Sequence, residues 1–350
     1  MKLLIQPDHG VQPLLDAIAS AKTSLEIAIF RCDHPEIQGA LIEAIKRGVA
    51  VHALIAYTNH GGEKRLRDLE MRLLGAGAVV ARTSDDLAKY HAKYFIVDGK
   101  KLVLLGHNFT RTDLHTTRSF GVISTQPRIV QEASRLFAAD STRQPYSCTS
   151  RTLIVSPVNA RDRLTSFLST AKKQLLIYDV EVSDPAFIRI LKERVAAGVE
   201  VRVIGDVKTK DPPCEVRASN PLRLHARAIV LDGKCVFIGS QSLRHIELDL
   251  RREVGLLIRD TALANALTKV FEQDWATAKS DQVPAERMAK KMAKAVAKEI
   301  GPIAPLFEEV AARNGIDVQA DYPGLDAAVR DAVKTAVKEA VHEAVVEAEK

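Results

Sequence analysis

The chain contains the same pattern twice. Leu4-Ile5-Gln6-Pro7 returns 150 residues later as Ile154-Val155-Ser156-Pro157, and that offset also aligns Ala21-Lys22 with Ala171-Lys172, His34-Pro35 with Asp184-Pro185 and Gly48-Val49 with Gly198-Val199. Further along, the offset falls to 134. His91-Ala92 then meets His225-Ala226, Asp98-Gly99-Lys100 meets Asp232-Gly233-Lys234, and Phe137-Ala138-Ala139-Asp140 meets Phe271-Glu272-Gln273-Asp274. Self-similarity on this scale implies a duplicated structural unit. The expected organisation is a first lobe over 1–147, a second over 150–280 with a linker in 142–150, and an extension over 281–350 outside the repeat.

The sixteen residues missing between the two offsets have a location. Leu66, Leu69 and Leu73 recur at helical spacing across Glu63 to Leu74, whereas the second lobe has Asp206-Val207-Lys208-Thr209-Lys210-Asp211-Pro212-Pro213, a loop composition. Elsewhere the lobes match. Ser24 to Phe30 and Gln174 to Val180 read as buried strands, and Val49 to Ala56 and Val199 to Ile204 as further strands. Between them, Ile37 to Arg47 and Pro185 to Ala197 read as amphipathic helices closed by Gly48 and Gly198. Alternation of strand and helix places both lobes in the α/β class.

Composition narrows the function. Apolar residues are 46% and charged residues 27%, an ordinary globular balance. Aromatics are only 5%, few for a platform that stacks bases. No run approaches the ~18 apolar residues of a membrane span, and the start of the chain has no stretch of signal-peptide length, so a cytoplasmic protein is expected. The four cysteines, Cys32, Cys148, Cys214 and Cys235, form no C-x-x-C pair and are expected to be reduced. The net charge of +6 conceals an acidic 281–350, with ten Lys/Arg against thirteen Asp/Glu, and a more basic remainder. A basic body suits a phosphate-bearing partner, lipid headgroup or nucleic acid alike. In the extension, Arg287 to Ile300 and Leu325 to Glu349 read as helices, expected to pack on the lobes or on another chain, with a membrane-surface role as the alternative.

The chemistry lies in the repeated block His91-Ala92-Lys93-Tyr94-Phe95-Ile96-Val97-Asp98 and its partner His225-Ala226-Arg227-Ala228-Ile229-Val230-Leu231-Asp232. Each reads as a strand running into an Asp-Gly turn, so His91 projects with Lys93 and His225 with Arg227. An imidazole beside a cation is a poor core pair and a good phosphate site, because the ring can attack or protonate while the cation neutralises non-bridging oxygens. One H-x-[KR]-x4-D match is a weak signal; two at matched places in a repeat are a strong one. A small polar residue follows each Asp by ten positions, Asn108 and Ser242. The other eight histidines have no matched partners and read as surface or packing residues.

With these motifs the chain resembles the phospholipase D superfamily, whose hallmark is a paired H-x-K-x4-D. The likeness covers nearly all of residues 1–280 and includes Gly239-Ser240-Gln241-Ser242 and Arg252-Glu253-Val254-Gly255. Three places depart from the family pattern. Arg227 replaces a lysine, Leu105-Gly106-His107-Asn108 lacks the usual serine, and Ser119 stands where glutamate is frequent. The resemblance implies two pseudo-twofold-related lobes, each a mixed β-sheet flanked by helices, with a C-terminal helical tail and the active site at the lobe interface. It further implies a phosphohistidine intermediate with no metal or other cofactor. His91, Lys93, Asp98, His225, Arg227 and Asp232 are then the catalytic set, supported at the phosphate by Asn108, Ser240, Ser242 and Glu253.

Glu253 is expected to hydrogen-bond the histidine of its own lobe, His225, and to favour its protonated form. On that expectation His91 is the nucleophile and His225 the general acid. The implied activity is that of a phosphodiesterase or phosphatidyltransferase on glycerophospholipid, reached by peripheral contact with a membrane surface. The alternatives are an endonuclease on DNA or RNA, and a non-catalytic binding protein in which the changes at Arg227 and Ser119 mark decay.

Overall fold

The computed structural model describes residues 1–57, 63–84, 86–219 and 221–280. The expected helices at 287–300 and 325–349, and the His60-Gly61-Gly62 segment, lie outside the described residues.

Both lobes carry the same sheet. In the first, the strand order is Lys2–Gln6, Thr117–Ser124, Lys101–Leu105, Tyr94–Val97, Ser24–Ile29, Ala50–Ile55, Val79–Arg82. In the second it is Leu153–Val155, Val254–Arg259, Cys235–Gly239, Arg227–Leu231, Gln174–Val182, Glu200–Val207, Glu215–Ala218, with Lys279–Ser280 added at the edge. The strand starting at Ser24 or Gln174 pairs in parallel with the next strand outward and antiparallel with the motif strand. Parallel neighbours need a crossover, which the helices Pro35–Lys46 and Pro185–Ala196 provide. The helix expected over 63–74 runs from Glu63 to Ala76, and its counterpart after Val207 is irregular chain.

Burial divides into three parts. An outer cluster in each lobe packs the crossover helices on their sheet, Ile37 and Leu41 against Ile27 and Val51, and Phe187 and Leu191 against Ile177 and Val203. The third cluster is shared: Tyr94, Phe120 and Val122 of the first lobe bury with Tyr178, Val236 and Leu256 of the second. Two helices, Pro127–Ser141 and Thr261–Thr277, contribute Leu136, Phe137, Phe271 and Trp275 to it. The lobes therefore share a core.

Charges cross the same seam in matched fashion. Arg118 of the first lobe holds Asp274 of the second at 2.8 and 3.0 Å. Arg252 of the second holds Asp140 of the first at 3.0 Å. Each guanidinium also donates to a backbone carbonyl, Gln6 O or Ser156 O, at 2.9 Å. At one point the backbones themselves meet. A Cβ on Gly106 would lie 2.7 Å from the carbonyl oxygen of Gly239, so a side chain there would push the two sheets apart.

Candidate active site

The motif strands do not run unbroken. In the first lobe a short strand, Lys89–Tyr90, pairs in parallel with Arg251–Arg252 of the second, and the own-lobe strand begins only at Tyr94. The mirror arrangement has Arg223–Leu224 on Thr117–Arg118 of the first lobe, with Arg227–Leu231 following. The chain leaves one sheet to touch the other, and each histidine sits in the gap. His91 N–H donates to Arg252 O at 2.8 Å, and His225 N–H donates to Arg118 O at 3.0 Å. Apolar alternation continues through the gap, which is why the sequence reads as one strand.

This crossing decides the partners. His91 Nδ1 lies 2.8 Å from Glu253 Oε2, and His225 Nδ1 lies 2.9 Å from Asp113 Oδ1. Each imidazole is therefore held by a carboxylate of the opposite lobe, with Nε2 as its remaining ring nitrogen. The expected bond from Glu253 to His225 is not formed. Arg252 docks on His91, so the next residue, Glu253, falls beside His91. The residue in that place beside His225 is Ser119, whose Oγ is buried and makes no hydrogen bond.

Asp113 supplies what Ser119 lacks. Thr110 caps the short helix Arg111–His115 and accepts from Asp113 N–H, which fixes that turn against His225. Asp113 Oδ2 also accepts from the backbone and side-chain amides of Asn108, at 3.0 and 2.8 Å. The 134 offset gives it a counterpart, Glu247, which accepts from Ser242 N–H at 2.7 Å. Sequence reading passed over both carboxylates, although each follows its small polar residue by five positions.

Burial sets the protonation states. It pushes Glu253 up to about 7 against the opposing pull of Lys93, and it lowers the Lys93 ammonium to about 7. Burial, followed by the charges of Lys93 and Arg227, drives His91 well below its ordinary value, so it is neutral. His225 is lowered to about 4, chiefly by burial, with Asp113 pulling the other way. Burial would raise Asp113, but the bond and charge of His225 outweigh it and keep this carboxylate firmly ionised. Lys93 Nζ is buried with no hydrogen-bond partner, 5.4 Å from the centre of the Phe30 ring. Arg227 donates from Nε to Ser242 Oγ at 3.0 Å.

A cleft of about 350 Å³ opens over the imidazoles, lined by His91, His225, Asn108 and Asp113 among others. Three of the expected site residues are elsewhere. Asp98 lies at φ +51° in its turn and accepts from the N–H groups of Lys22, Thr23 and Ser24; Asp232 does the same for Lys172, Lys173 and Gln174. Both hold the start of the neighbouring strand, where Asp tolerates the left-handed backbone. Ser240 Oγ is taken by the backbone of Val254, accepting its N–H at 3.1 Å. Asp98→Ala is accordingly expected to cost about 2 kcal/mol of stability through the lost cap, while turnover per folded molecule stays unchanged. Urea midpoints beside active-fraction-corrected rates would check it.

Among the described residues one group has metal-ligand spacing, Asp184, His245 and Asp249. It is not part of the cleft lining, and Arg161 already bridges both of its carboxylates at 2.6 and 2.5 Å.

Comparison with known proteins agrees with this fold. The family described as cardiolipin synthase, PLD-like domain, matches residues 14–141 and 164–275, most of the chain. A mitochondrial cardiolipin hydrolase of Danio rerio is 29% identical over 133 residues, 37% of this chain and 57% of that protein, so the likeness spans little more than half of the relative. Among solved structures, phosphatidylserine synthase of Haemophilus influenzae has a TM-score of 0.62 at 12% identity, covering 85% of this chain and 94% of that one. Polyphosphate kinase of Porphyromonas gingivalis has a TM-score of 0.64 at 19% identity, over 77% of this chain and 46% of that one. At such identities the two structures speak for the fold alone. With the family match on both repeats, and paired histidines where the lobes meet, the chain belongs to the phospholipase D superfamily.

Proposed function

We propose that this protein cleaves phosphodiesters by way of a phosphohistidine, with glycerophospholipid as substrate, water or an alcohol as acceptor, and no metal in the chemical steps. The observation that carries the reading is the exchange of carboxylates between lobes, which fixes two imidazoles over one cleft with Lys93 and Arg227 beside them. His91 Nε2 attacks phosphorus, and the bond to the leaving alcohol breaks as His225 gives that oxygen its proton. Water or an alcohol then attacks the phosphohistidine, His225 takes its proton back, and the P–N bond opens. Lys93 and Arg227 neutralise the non-bridging oxygens.

The division of roles rests on the two carboxylates. Asp113, firmly ionised, is the better counterion for an imidazolium; Glu253, near 7, is the weaker one. An arriving phosphodiester adds negative charge and raises the proton affinity of His225. The changes at Arg227 and Ser119 support an enzyme over a decayed binder, because Arg227 is anchored on Ser242 and Asp113 serves His225.

In this reading the protein works from the cytoplasm by peripheral contact with lipid. Among the described residues no helix is long and apolar enough to cross a membrane. Release of headgroup from phosphatidylglycerol or phosphatidylcholine vesicles in EDTA is the direct test, and absence of release with every phospholipid would reject the lipid substrate.

Lys93 gives a pH signature. With its pKa lowered to about 7 in the empty cleft, it loses its charge as pH rises through neutrality. KM for a soluble phosphodiester should therefore rise above pH 7. Lys93→Arg, which keeps its charge, should move that rise to higher pH. A KM profile from pH 6 to 9 on both proteins measures it.

A second reading, endonuclease on DNA or RNA, is favoured by the cleft lining, which includes Arg31, Arg65, Lys89 and Arg223.

A further inference from the structure

The two lobes close one joint in different ways. In the second, Asp184 stands at the start of the crossover helix Pro185–Ala196, Asp249 stands two residues after Glu247, and Arg161 Nη2 bridges the two carboxylates. The offsets of 150 and 134 place His34 and His115 at the same two points of the first lobe, and Val11 at the position of Arg161. His34 likewise precedes a crossover helix, Pro35–Lys46, and His115 stands two residues after Asp113, on the turn that holds His225. One lobe therefore has a cation between two acidic ligands. The other has imidazoles for the ligands and a valine for the cation.

His34 and His115 still meet. Their Nε2 atoms are 3.2 Å apart and their ring centres 5.4 Å. Two imidazoles so placed can share one proton in a hydrogen bond, or turn two lone pairs on one metal ion. At metal–nitrogen distances of about 2.0–2.1 Å, nitrogens 3.2 Å apart subtend about 100–106° at the ion, close to a tetrahedral angle. His34 Nδ1 makes no hydrogen bond, so no partner ties the proton of that ring to Nε2. Burial is the main influence on His34 and lowers its pKa, leaving the neutral ring that ligation requires, with Glu36 and Asp33 as nearby anions and Arg111 as a nearby cation. His115 is exposed, which lets water complete the coordination.

We propose that His34 and His115 form a two-histidine site for a divalent transition metal ion such as zinc, and that the ion clamps the first-lobe joint as Arg161 clamps the second. Imidazole nitrogen suits zinc, copper and nickel rather than magnesium or calcium. Neither histidine lines the cleft, so the site stands apart from the chemical steps. What it secures is the turn carrying Asp113. That turn is already tied to the same loop by Arg111 N–H on Asp33 Oδ1 at 2.9 Å, and by the N–H groups of Asp33 and His34 on Phe109 O at 3.1 and 3.2 Å. With two protein ligands and no acceptor behind His34, the site is weaker than a four-ligand one.

The test uses the full chain, stripped of metal with EDTA and dialysed. Calorimetric titration with zinc chloride should show one more ion bound per chain in the unmutated protein than in His34→Gln or His115→Gln. The difference sets aside zinc taken elsewhere, at His91 and His225 included. Zinc should also raise the thermal midpoint of the unmutated protein more than that of either variant, and magnesium should not substitute for it. Giving the joint the second lobe's residues, His34→Asp and His115→Asp with Val11→Arg, should keep the protein folded and remove the extra response to zinc. His115 is exposed, so His115→Gln decides alone if the buried His34→Gln does not fold. Equal stoichiometry and equal midpoint shifts in the unmutated protein and the folded glutamine variants overturn the proposal.

Discussion

His225→Asn should leave a phosphohistidine on His91 when the leaving group is a nitrophenolate. Such a leaving group departs without a proton, so the first step survives, but the second has lost the base that activates water. Turnover of substrates with an ordinary alcohol leaving group should fall by on the order of 10³-fold. His91→Asn should give no adduct with either substrate. The adduct is an acid-labile phosphoramidate, so it is sought by mass spectrometry after an alkaline quench. An adduct on His225 in the His91 variant would reverse the two roles, and full turnover in both variants would remove the pair from the chemistry.

Asp113→Asn tests the other half of the relay. The amide keeps the shape but removes the anion behind His225, whose pKa then falls further below its present value near 4. The proton needed by the leaving group becomes scarcer at every pH, and kcat with an alcohol leaving group should drop by on the order of 10²–10⁴-fold. The loss should shrink toward acid pH, and it should be much smaller for a nitrophenolate. Adding Ser119→Glu to this variant puts a carboxylate where the repeat has Glu253, and recovery of at least part of the lost rate is expected. Equal losses for both leaving groups at all pH values would mean that Asp113 only supports the fold.

The centre was legible where chemistry is local in sequence. His91 and His225, with Lys93 and Arg227, declared themselves because a duplicated motif is hard to obtain by chance. Asp113 was not legible, and Glu253 was assigned to the wrong histidine, because partner choice depends on Lys89–Tyr90 and Arg223–Leu224 crossing to the opposite lobe, which no periodicity shows. The offset did hold a clue in the match of Asp113 with Glu247. Asp98 and Asp232 were expected in the catalytic set, and the structure places them in turns outside the cleft lining. They belong to the motif because an Asp-Gly turn and three backbone donors require them, and a pattern does not separate a residue that builds the strand from one that meets the substrate. The sheets themselves were readable from alternation and closing glycines. Their shared core was not, since Tyr94 and Tyr178 look like ordinary members of separate strands until the lobes are brought together.

The crossed carboxylates also constrain how such a chain can change over generations. On the proposed roles, damage to the acid of one lobe disables the histidine of the other, so neither half can drift toward a private function while its twin preserves the old one. The serine at 119 fits that rule: it is tolerable only in a chain where 113 already reaches across. Inheritance here acts on the join, and two defective copies, one lacking Asp113 and the other Glu253, could restore activity only by exchanging whole lobes between chains.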